Sequence, residues 1–500
     1  MMKSLSNTLA GALLLFGVVS AQVTVPYTFV NTSTFPDDQI YIAVIGITGG
    51  HVWIDGATGQ VNQMSVNDNT LQGPIIGGNT GPGGNAMYAD CFTKLSDIPN
   101  KIIPIPNIAG SRILIGFGSP LYMYFFGYSG APSGYAAPDL ANPTNPNQGI
   151  RFEMVELTNN QYGIWSNTTR VDSYQYPMGL EIWGANGFYN KTGEVMNQDW
   201  IINSWKSDVS AAFQGCLKES EKIIMAPSKI ADFQPGGSQA NFFQPYVDAV
   251  WEKYKNEDLT FNSGNAGVWK GRVVNEQFVF HNLTNSFGNA TAYITRRPNT
   301  QEVLEGKGVL AENVQNLPTQ TLDLVVQAQF CAALNRHAID LNAASGTTQD
   351  WSDSSKYFRT MPYNEYVKFW HRADVSWNQS SYGFCYDDVF EYSSTIHTPS
   401  PTNATVSIGG FYTPPVSLVP GKSRKCSVTQ MGLDASRTVV RGNDLDYGFL
   451  TVFDGRGQEV AAAPYTAGSA RLDHPLATGT YLWRLTKAQG IQGGQLRVER

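Results

Sequence analysis

The sequence predicts a β-rich α+β fold in three parts: a β-barrel or β-sandwich domain, a mixed α/β lobe and a small all-β module. Up to about residue 185, short strand-like runs alternate with Gly, Pro and Asn clusters, which is typical of a sandwich or barrel. From about residue 190 the apolar residues recur with helical spacing, and strand character returns near residue 384. At 500 residues the chain is long enough for two or three domains.

The first 21 residues have the pattern of a secretory signal peptide. Lys3 precedes an apolar run from Leu9 to Val19, and the segment ends in Ser20 and Ala21. The run is shorter than the roughly 18 to 20 apolar residues of a membrane span, and no second such run follows. We therefore expect residues 1–21 to be removed and the mature protein to be secreted and extracellular, without a membrane span.

Turn residues and the change of period set the expected domain boundaries. They are 22–185 for the β domain, 186–383 for the α/β lobe, 384–413 for a return to the β domain, 414–425 for a linker and 426–500 for the last module. The lobe should contain an amphipathic helix in the segment QANFFQPYVDAVWEKYKNED. Its apolar stripe consists of Phe243, Tyr246, Val247, Val250 and Tyr254.

The last module should be a small β-sandwich. The runs FLTVFD and EVAAA flank a DGRG turn, and GTYLWRL and GQLRVE follow as strands. This pattern resembles the carboxy-terminal sorting or attachment modules of exported bacterial enzymes, which would attach the protein to a cell surface. A carbohydrate-binding accessory module and an inert appendage are the alternatives.

Charge and cysteine content exclude several classes of partner. A net charge of −7 and a pI near 5.5 leave no basic face for nucleic acid, whereas a neutral polymer fits this balance. The five cysteines include no CxxC pair; an exported protein could form one or two disulfides and would keep at least one thiol unpaired. His337 and His371 lie in helical patterns that favour structural roles over a metal site. We predict no metal, no cofactor and a monomer.

Two acids, Glu156 and Asp172, flank a turn-rich segment in the stretch from Arg151 to Trp183. The period of two in RFEMVEL places Phe152, Met154 and Glu156 on one face of a strand and the intervening residues on the other. Two carboxyl groups across a cleft are what glycosidic hydrolysis requires. A separation of about 6.5–9.5 Å admits a water and inverts the anomeric configuration, whereas about 5 Å allows direct attack and retention.

The position of the turn decides whether these acids meet. A loop centred on residue 164 would bring Glu156 and Asp172 onto neighbouring strands, and a tighter turn between Asn159 and Gly163 would separate them. The alternative interpretation is that both acids are simply solvated or ion-paired on the surface.

The run VELTNNQYGIWSNTTRVDSYQYPMGL, with the later stretches AALNRHAIDLN, YNEYVKFWH, YGFCYDDVFEYSS and VSIGGFY, resembles glycoside hydrolase family 64, the laminaripentaose-producing β-1,3-glucanases. The resemblance covers residues 25 to about 414. It implies a thaumatin-like barrel and a mixed lobe around a wide, open groove. It also implies that Glu156 is the general acid and Asp172 the general base of an inverting reaction. By the same resemblance, Thr158, Asn160, Trp165 and Thr169 would line the glucan subsites.

The function expected from the sequence is therefore a secreted endo-β-1,3-glucanase that cuts linear glucan, such as laminarin, curdlan or fungal wall glucan, to short oligosaccharides such as laminaripentaose. Tyr162 or Trp165 would exclude water from Glu156 and favour its protonated form, and Arg170 would help Asp172 to stay charged. One alternative is a non-catalytic thaumatin-like protein that binds glucan or the cell wall. Another is a retaining enzyme, or an enzyme for another linkage.

Overall fold

The computed structural model describes residues 24–127, 133–284, 290–315 and 322–412. In the last part of the chain it describes 431–433, 439–442, 448–454, 458–466, 469–472, 475–487 and 490–498. The chain divides into two compact units, Met1–Tyr412 and Thr413–Arg500, and each is described by itself below. The predicted signal peptide and the predicted linker at 414–425 lie outside the described residues, so both remain predictions.

A β-sandwich of two sheets forms one half of the first unit. The larger sheet has the order Ile396–Thr398, Gly163–Thr168, Arg151–Asn160, Ile108–Phe117, Ile40–Ile47, His51–Ile54 and Val61–Gln63, and Thr93–Lys94 pairs with Ile40–Ile47. The smaller sheet has the order Tyr189–Gly193, Met178–Gly184, Pro401–Ile408, Val25–Asn31 and Ile102–Ile105. Neither strand order closes on itself among the described residues, so the domain is an open sandwich and not a closed barrel.

Alternating apolar side chains build the core between the two sheets. Along Val25–Asn31, the side chains of Val25, Tyr27 and Phe29 are buried, and the residues between them are partly exposed. The same core receives apolar residues from both sheets. Burial of this apolar surface is the main stabilising contribution to the sandwich.

The strand Arg151–Asn160 crosses the larger sheet with its two faces in different surroundings. Val155 and Leu157 enter the sandwich core, whereas Phe152 and Met154 pack in a separate cluster on the opposite side of the sheet. This confirms the predicted alternation and places Glu156 on the side that faces away from the core. We call this side the outer face. One end of it is covered by short strand pairs, which are Leu71–Gln72 with Met87–Tyr88 and Tyr124–Phe126 with Gly134–Ala136.

The other half of the first unit is an α/β lobe with one large apolar core. Its helices are Gln198–Asp208, Ala211–Gln214, Gln244–Tyr254, Thr300–Glu305, Leu322–Arg336 and Glu365–Trp370. A five-stranded sheet has the order Thr291–Ile294, Gln277–Asn282, Val268–Val274, Leu259–Asn262 and Thr348–Asp350. A three-stranded sheet has the order Ser173–Tyr174, Ile223–Met225 and Leu217–Lys218. The predicted stripe of Gln244–Tyr254 and its preceding residue is confirmed, because all five of its side chains are buried.

The four described cysteines are free thiols, so no disulfide links any two of them. Cys216 and Cys331 are buried in the apolar core of the lobe, and Cys91 is buried in the cluster on the outer face. Burial raises the pKa of each of these three thiols above its ordinary value. Cys426 lies outside the described residues.

Arg170 is buried and joins several parts of the first unit through charge-assisted hydrogen bonds. Its Nε and Nη2 donate to the two carboxylate oxygens of Glu194, at 2.8 and 2.7 Å, and its Nη1 donates to Glu153 Oε2 at 2.5 Å. Burial alone opposes the charge of Arg170, but the two carboxylates outweigh it and hold the pKa of the guanidinium above its ordinary value. The main chain of Arg170 also bonds the α/β lobe, because its N–H donates to Tyr382 O and its carbonyl accepts from Tyr366 Oη.

The second unit contains a single sheet of seven described strands, and it has an apolar core of its own. Their order is Met431–Leu433, Val439–Gly442, Ser469–Arg471, Glu459–Thr466, Gly448–Phe453, Gly479–Lys487 and Gly490–Val498. Within the residues that the structure describes, no helix is long and apolar enough to cross a membrane.

We expect Arg170→Met to lower the free energy of unfolding by about 3–5 kcal/mol, because it leaves two buried carboxylates without their cation. Denaturant unfolding followed by tryptophan fluorescence measures the change. Arg359→Met is the matched control, since Arg359 is exposed and bonds the carbonyl of Ser355; it should stay within about 0.5 kcal/mol of the parent. Equal stability of the Arg170→Met variant and the parent would contradict this role for the buried cluster.

Candidate active site

Polar side chains from neighbouring strands meet on the outer face of the larger sheet. Glu156 lies directly opposite Arg112 on one neighbouring strand and opposite Asn167 on the other. Two positions along the strand, Thr158 lies opposite Trp165, which is in turn opposite His397. Directly opposed residues of paired strands project to the same side, so these six side chains share the outer face.

Glu156 is partly exposed and has two polar neighbours. Asn167 Nδ2 donates to Glu156 Oε2 at 3.3 Å, and Arg112 Nε lies 3.5 Å from Glu156 Oε1. The second distance is longer than the about 2.7–2.9 Å of a strong charge-assisted hydrogen bond. The carboxyl group is therefore held near Arg112 without being locked to it, and about a third of its side chain remains accessible.

The hairpin that follows Glu156 has the tighter of the two predicted turns. Asn160 pairs with Gly163 and Glu156 pairs with Asn167, so the register centred on residue 164 is wrong. The return strand ends at Thr168, and Asp172 therefore does not lie opposite Glu156 in the sheet. The turn is tight because Asn160 Oδ1 accepts the N–H of Tyr162, a local bond that Asn side chains form readily.

Asp172 returns to the same region by a different route. The chain bends after Arg170, and Ser173 then pairs with Met225 in the small sheet of the lobe. The carbonyl of Asp172 accepts the N–H of Ala226 at 3.0 Å, and Lys229 Nζ lies 2.9 Å from Asp172 Oδ1. The Asp172 side chain is about half exposed, so its carboxylate is open to solvent.

Arg112 connects the two acids. It lines one pocket together with Asp172, Lys229 and Tyr135, and Tyr135 Oη accepts a hydrogen bond from Arg112 Nη1 at 3.1 Å. Burial opposes its charge, but Tyr135, Glu156 and Asp172 together hold the pKa of Arg112 above its ordinary value. Both carboxylates therefore favour the charged form of the same guanidinium.

The predictions that Arg170 assists Asp172 and that Tyr162 shields Glu156 are both wrong. Arg170 does not assist Asp172, because its guanidinium is occupied by Glu153 and Glu194; the cation beside Asp172 is Lys229. Tyr162 does not exclude water from Glu156, because it lies at the tip of the turn with about two thirds of its surface exposed.

The four residues expected at the glucan subsites have different surroundings. Thr158 and Trp165 lie on the outer face beside Glu156, and the Trp165 ring stacks on His397 with centroids 4.3 Å apart. Asn160 follows on the same face of the strand, at the turn. Thr169 is buried, and its hydroxyl accepts the N–H of Val171.

A polar cleft of about 580 Å³ adjoins the Trp165 side of the site. Its lining includes Lys191, Asp388, Glu391 and several hydroxyl groups between Ser393 and Thr395. The neighbouring Asp387 has a structural role, because its buried carboxylate accepts from Arg336, His371 and the N–H of Gly383. Among the described side chains, no group of three His, Cys, Asp or Glu residues is arranged to hold a metal ion.

Comparison with known proteins identifies the family. The model described as β-1,3-glucanase, glycoside hydrolase family 64, matches residues 23–408. The chain belongs to glycoside hydrolase family 64. The crystal structure of a family 64 β-1,3-glucanase domain from Clostridium beijerinckii is similar, with 33% identity and a TM-score of 0.67 over 77% of this chain and 98% of that chain.

Other family 64 relatives are more distant. A laminaripentaose-producing β-1,3-glucanase from Paenibacillus barengoltzii is 27% identical, with a TM-score of 0.55 over 77% of this chain and 75% of that one. A glucan endo-1,3-β-glucosidase of Arthrobacter sp. (strain YCWD3) is 25% identical over 311 residues, which are 61% of this chain and 54% of the relative. The chain spans about half the length of the curated relatives that it matches.

Sequence reasoning missed three residues of this candidate site: Arg112, Asn167 and Lys229. Arg112 is the one charged residue in the strand sequence IAGSRILIGF, and a charge in such a strand is a usable signal. Asn167 lies in the run SNTT, where no pattern indicates that it bonds Glu156. Lys229 lies in PSKI, where no pattern indicates that it reaches Asp172.

Proposed function

We propose that this chain hydrolyses linear β-1,3-glucan as an endo-acting, inverting glycoside hydrolase. The observation that carries the proposal is the pairing of Glu156 and Asp172 around Arg112 on the open outer face. The names of relatives support the substrate: two are glucan endo-1,3-β-glucosidases, and a Paenibacillus barengoltzii family 64 structure is a complex with laminarihexaose.

In the proposed reaction, Glu156 donates its proton to the glycosidic oxygen of the departing sugar. Asp172 takes a proton from a water that attacks the anomeric carbon from the opposite face, so the configuration inverts. Asp172 is accessible enough to hold such a water, and Lys229 Nζ lies 2.9 Å from its Oδ1. Glu156 is supported by Asn167 and Arg112, and a bound sugar would cover its accessible edge.

The glucan would lie along the outer face, with the α/β lobe as the facing wall of an open groove. Thr158, Asn160 and Trp165 would contact sugars on one side of Glu156. The buried Thr169 would support the segment that follows it, through its hydrogen bond with Val171. The Trp165 face not covered by His397 would stack on a pyranose ring. The two-sheet sandwich supports the thaumatin-like comparison, and the open groove suits an internal cut that releases oligosaccharides such as laminaripentaose.

Secretion, a monomeric state and an attachment or accessory role for the second unit complete the proposal. Secretion rests on the sequence pattern of residues 1–21. The seven-stranded second unit with its own core supports a separate module, whose contribution deletion after residue 412 would test.

Glu156→Gln and Asp172→Asn should each lower kcat on linear β-1,3-glucan by about 10²–10⁴-fold, because each removes one proton-transfer group. Chromatography of reducing oligosaccharides measures the rate. Glu219→Gln and Asp199→Asn are matched controls, since both acids are exposed, paired with lysines and absent from the lining of the pocket that contains Asp172. Parent rates in both site variants would leave a non-catalytic glucan-binding protein as the better description.

The first product formed from a β-1,3-glucan should carry an α-configured reducing end, because the water attacks opposite to the departing oxygen. Proton NMR during the first minutes, before mutarotation, records the anomer. A β-anomer appearing first would contradict the base role of Asp172 and indicate retention.

Trp165→Ala should raise KM for glucan by about fivefold, because it removes a stacking platform that contributes about 1 kcal/mol. Steady-state kinetics on oligosaccharides of six or more sugars measures this. Tyr162→Ala is the control, because its exposed ring lies at the turn tip, and it should keep the parent KM. Similar KM values for both variants would remove Trp165 from the proposed groove.

A further inference from the structure

We propose that Lys229 is a positioning residue for Asp172, which it holds in place for proton transfer and keeps apart from Arg112. This inference rests on the proposed function, because it assigns a partner to the proposed base. Lys229 comes from the α/β lobe, and Asp172 comes from the segment that leaves the sandwich.

One short segment of the lobe contacts Asp172 at two points, its main-chain carbonyl and its carboxylate. The N–H of Ala226 donates to the carbonyl of Asp172 at 3.0 Å, and Lys229 Nζ contacts Asp172 Oδ1 at 2.9 Å. Met225 just before this segment pairs with Ser173 in the small sheet. The main chain and the carboxylate of the proposed base are therefore both held by the same segment, which contains Ala226 and Lys229.

The segment that carries Lys229 is itself fixed. Pro227–Lys229 is a single 3-10 turn with proline at its first position, and the N–H of Lys229 donates to Ala226 O at 2.9 Å. Ser228 is buried, and its carbonyl accepts from Gln234 Nε2 at 2.7 Å. These contacts hold the turn in place, so the length of the Lys229 side chain determines where the Asp172 carboxylate is held.

The charged and titratable groups around Asp172 explain why a dedicated cation matters. Lys229 faces it from the lobe and Arg112 from the larger sheet, and Tyr135 and Asp139 also line the pocket. Arg112 is already engaged with Tyr135 and lies beside Glu156. Without Lys229, the Asp172 carboxylate would be drawn to Arg112, and the two proposed catalytic acids would then compete for one guanidinium.

The Lys229–Asp172 ion pair contributes little to the free energy of folding. Its effect on catalysis can therefore be measured separately from an effect on stability. Both side chains are substantially exposed, and exposed ion pairs add little to stability. A variant that lacks the lysine should therefore fold as well as the parent and still fail in catalysis.

The test compares the parent with Lys229→Met, Lys229→Arg and Lys206→Met on linear β-1,3-glucan. Lys206 pairs with exposed Glu219 at 2.6 Å and serves as the matched control. We expect Lys229→Met to lower kcat roughly 10- to 100-fold, because the base is no longer held in place, and to change KM less than about twofold.

Lys229→Arg should restore most of kcat, and Lys206→Met should match the parent in both kcat and KM. All four proteins should have the same denaturant midpoint. A Lys229→Met variant with parental kcat overturns the role of Lys229 alone. A loss of kcat in Lys229→Met that follows a lowered midpoint, without rescue by arginine, assigns Lys229 a structural role and also overturns the proposal. An inactive parent overturns the proposed function and this inference together.

Discussion

Arg170 fixes the path of the chain between the two acids of the site. Its guanidinium joins Glu153, near the start of the strand that carries Glu156, to Glu194 beside the smaller sheet. Its main chain is bonded to Tyr366 and Tyr382 of the lobe. The residues that follow are therefore directed out of the sheet and against the lobe, where Asp172 meets Ala226 and Lys229. A sheet that simply continued from Thr168 would have carried Asp172 away from this position.

The charge cluster around Arg170 and the contacts of Glu156 and Asp172 differ in burial. Around Arg170 the ion pairs with Glu153 and Glu194 are buried and short, so their rearrangement would leave charges without partners at a cost of several kcal/mol. Around Glu156 and Asp172 the contacts are longer or solvent-exposed, and their disruption costs little. A rigid, buried cluster thus supports a nearby set of acids that can exchange their ion-pair partners for water and sugar. This division is what a site for proton transfer needs.

The sequence predicted those features that depend on local patterns. The alternation around Glu156 and the buried stripe of Gln244–Tyr254 follow from the periods of two and 3.6, and both are confirmed. The hairpin register could not be predicted, because two turns were compatible with NNQYGIWSNT and one side-chain bond of Asn160 favours the tighter one. The partners of Arg170 and Asp172 could not be predicted either, since Glu194 and Lys229 reach them from other strands and from the lobe. The spacing argument for the meeting of Glu156 and Asp172 was wrong, and their shared role in catalysis stays a prediction from the family resemblance.

The central claim is that Glu156 and Asp172 act from opposite sides of one sugar bond. A crystal structure of Glu156→Gln with a linear β-1,3-glucan oligosaccharide tests it most directly. The account predicts the glycosidic oxygen within hydrogen-bond distance of the residue 156 amide, and a water bound to Asp172 on the far side of the anomeric carbon. A glucan chain bound away from the outer face, or Asp172 in direct contact with the anomeric carbon and no water between them, would contradict it.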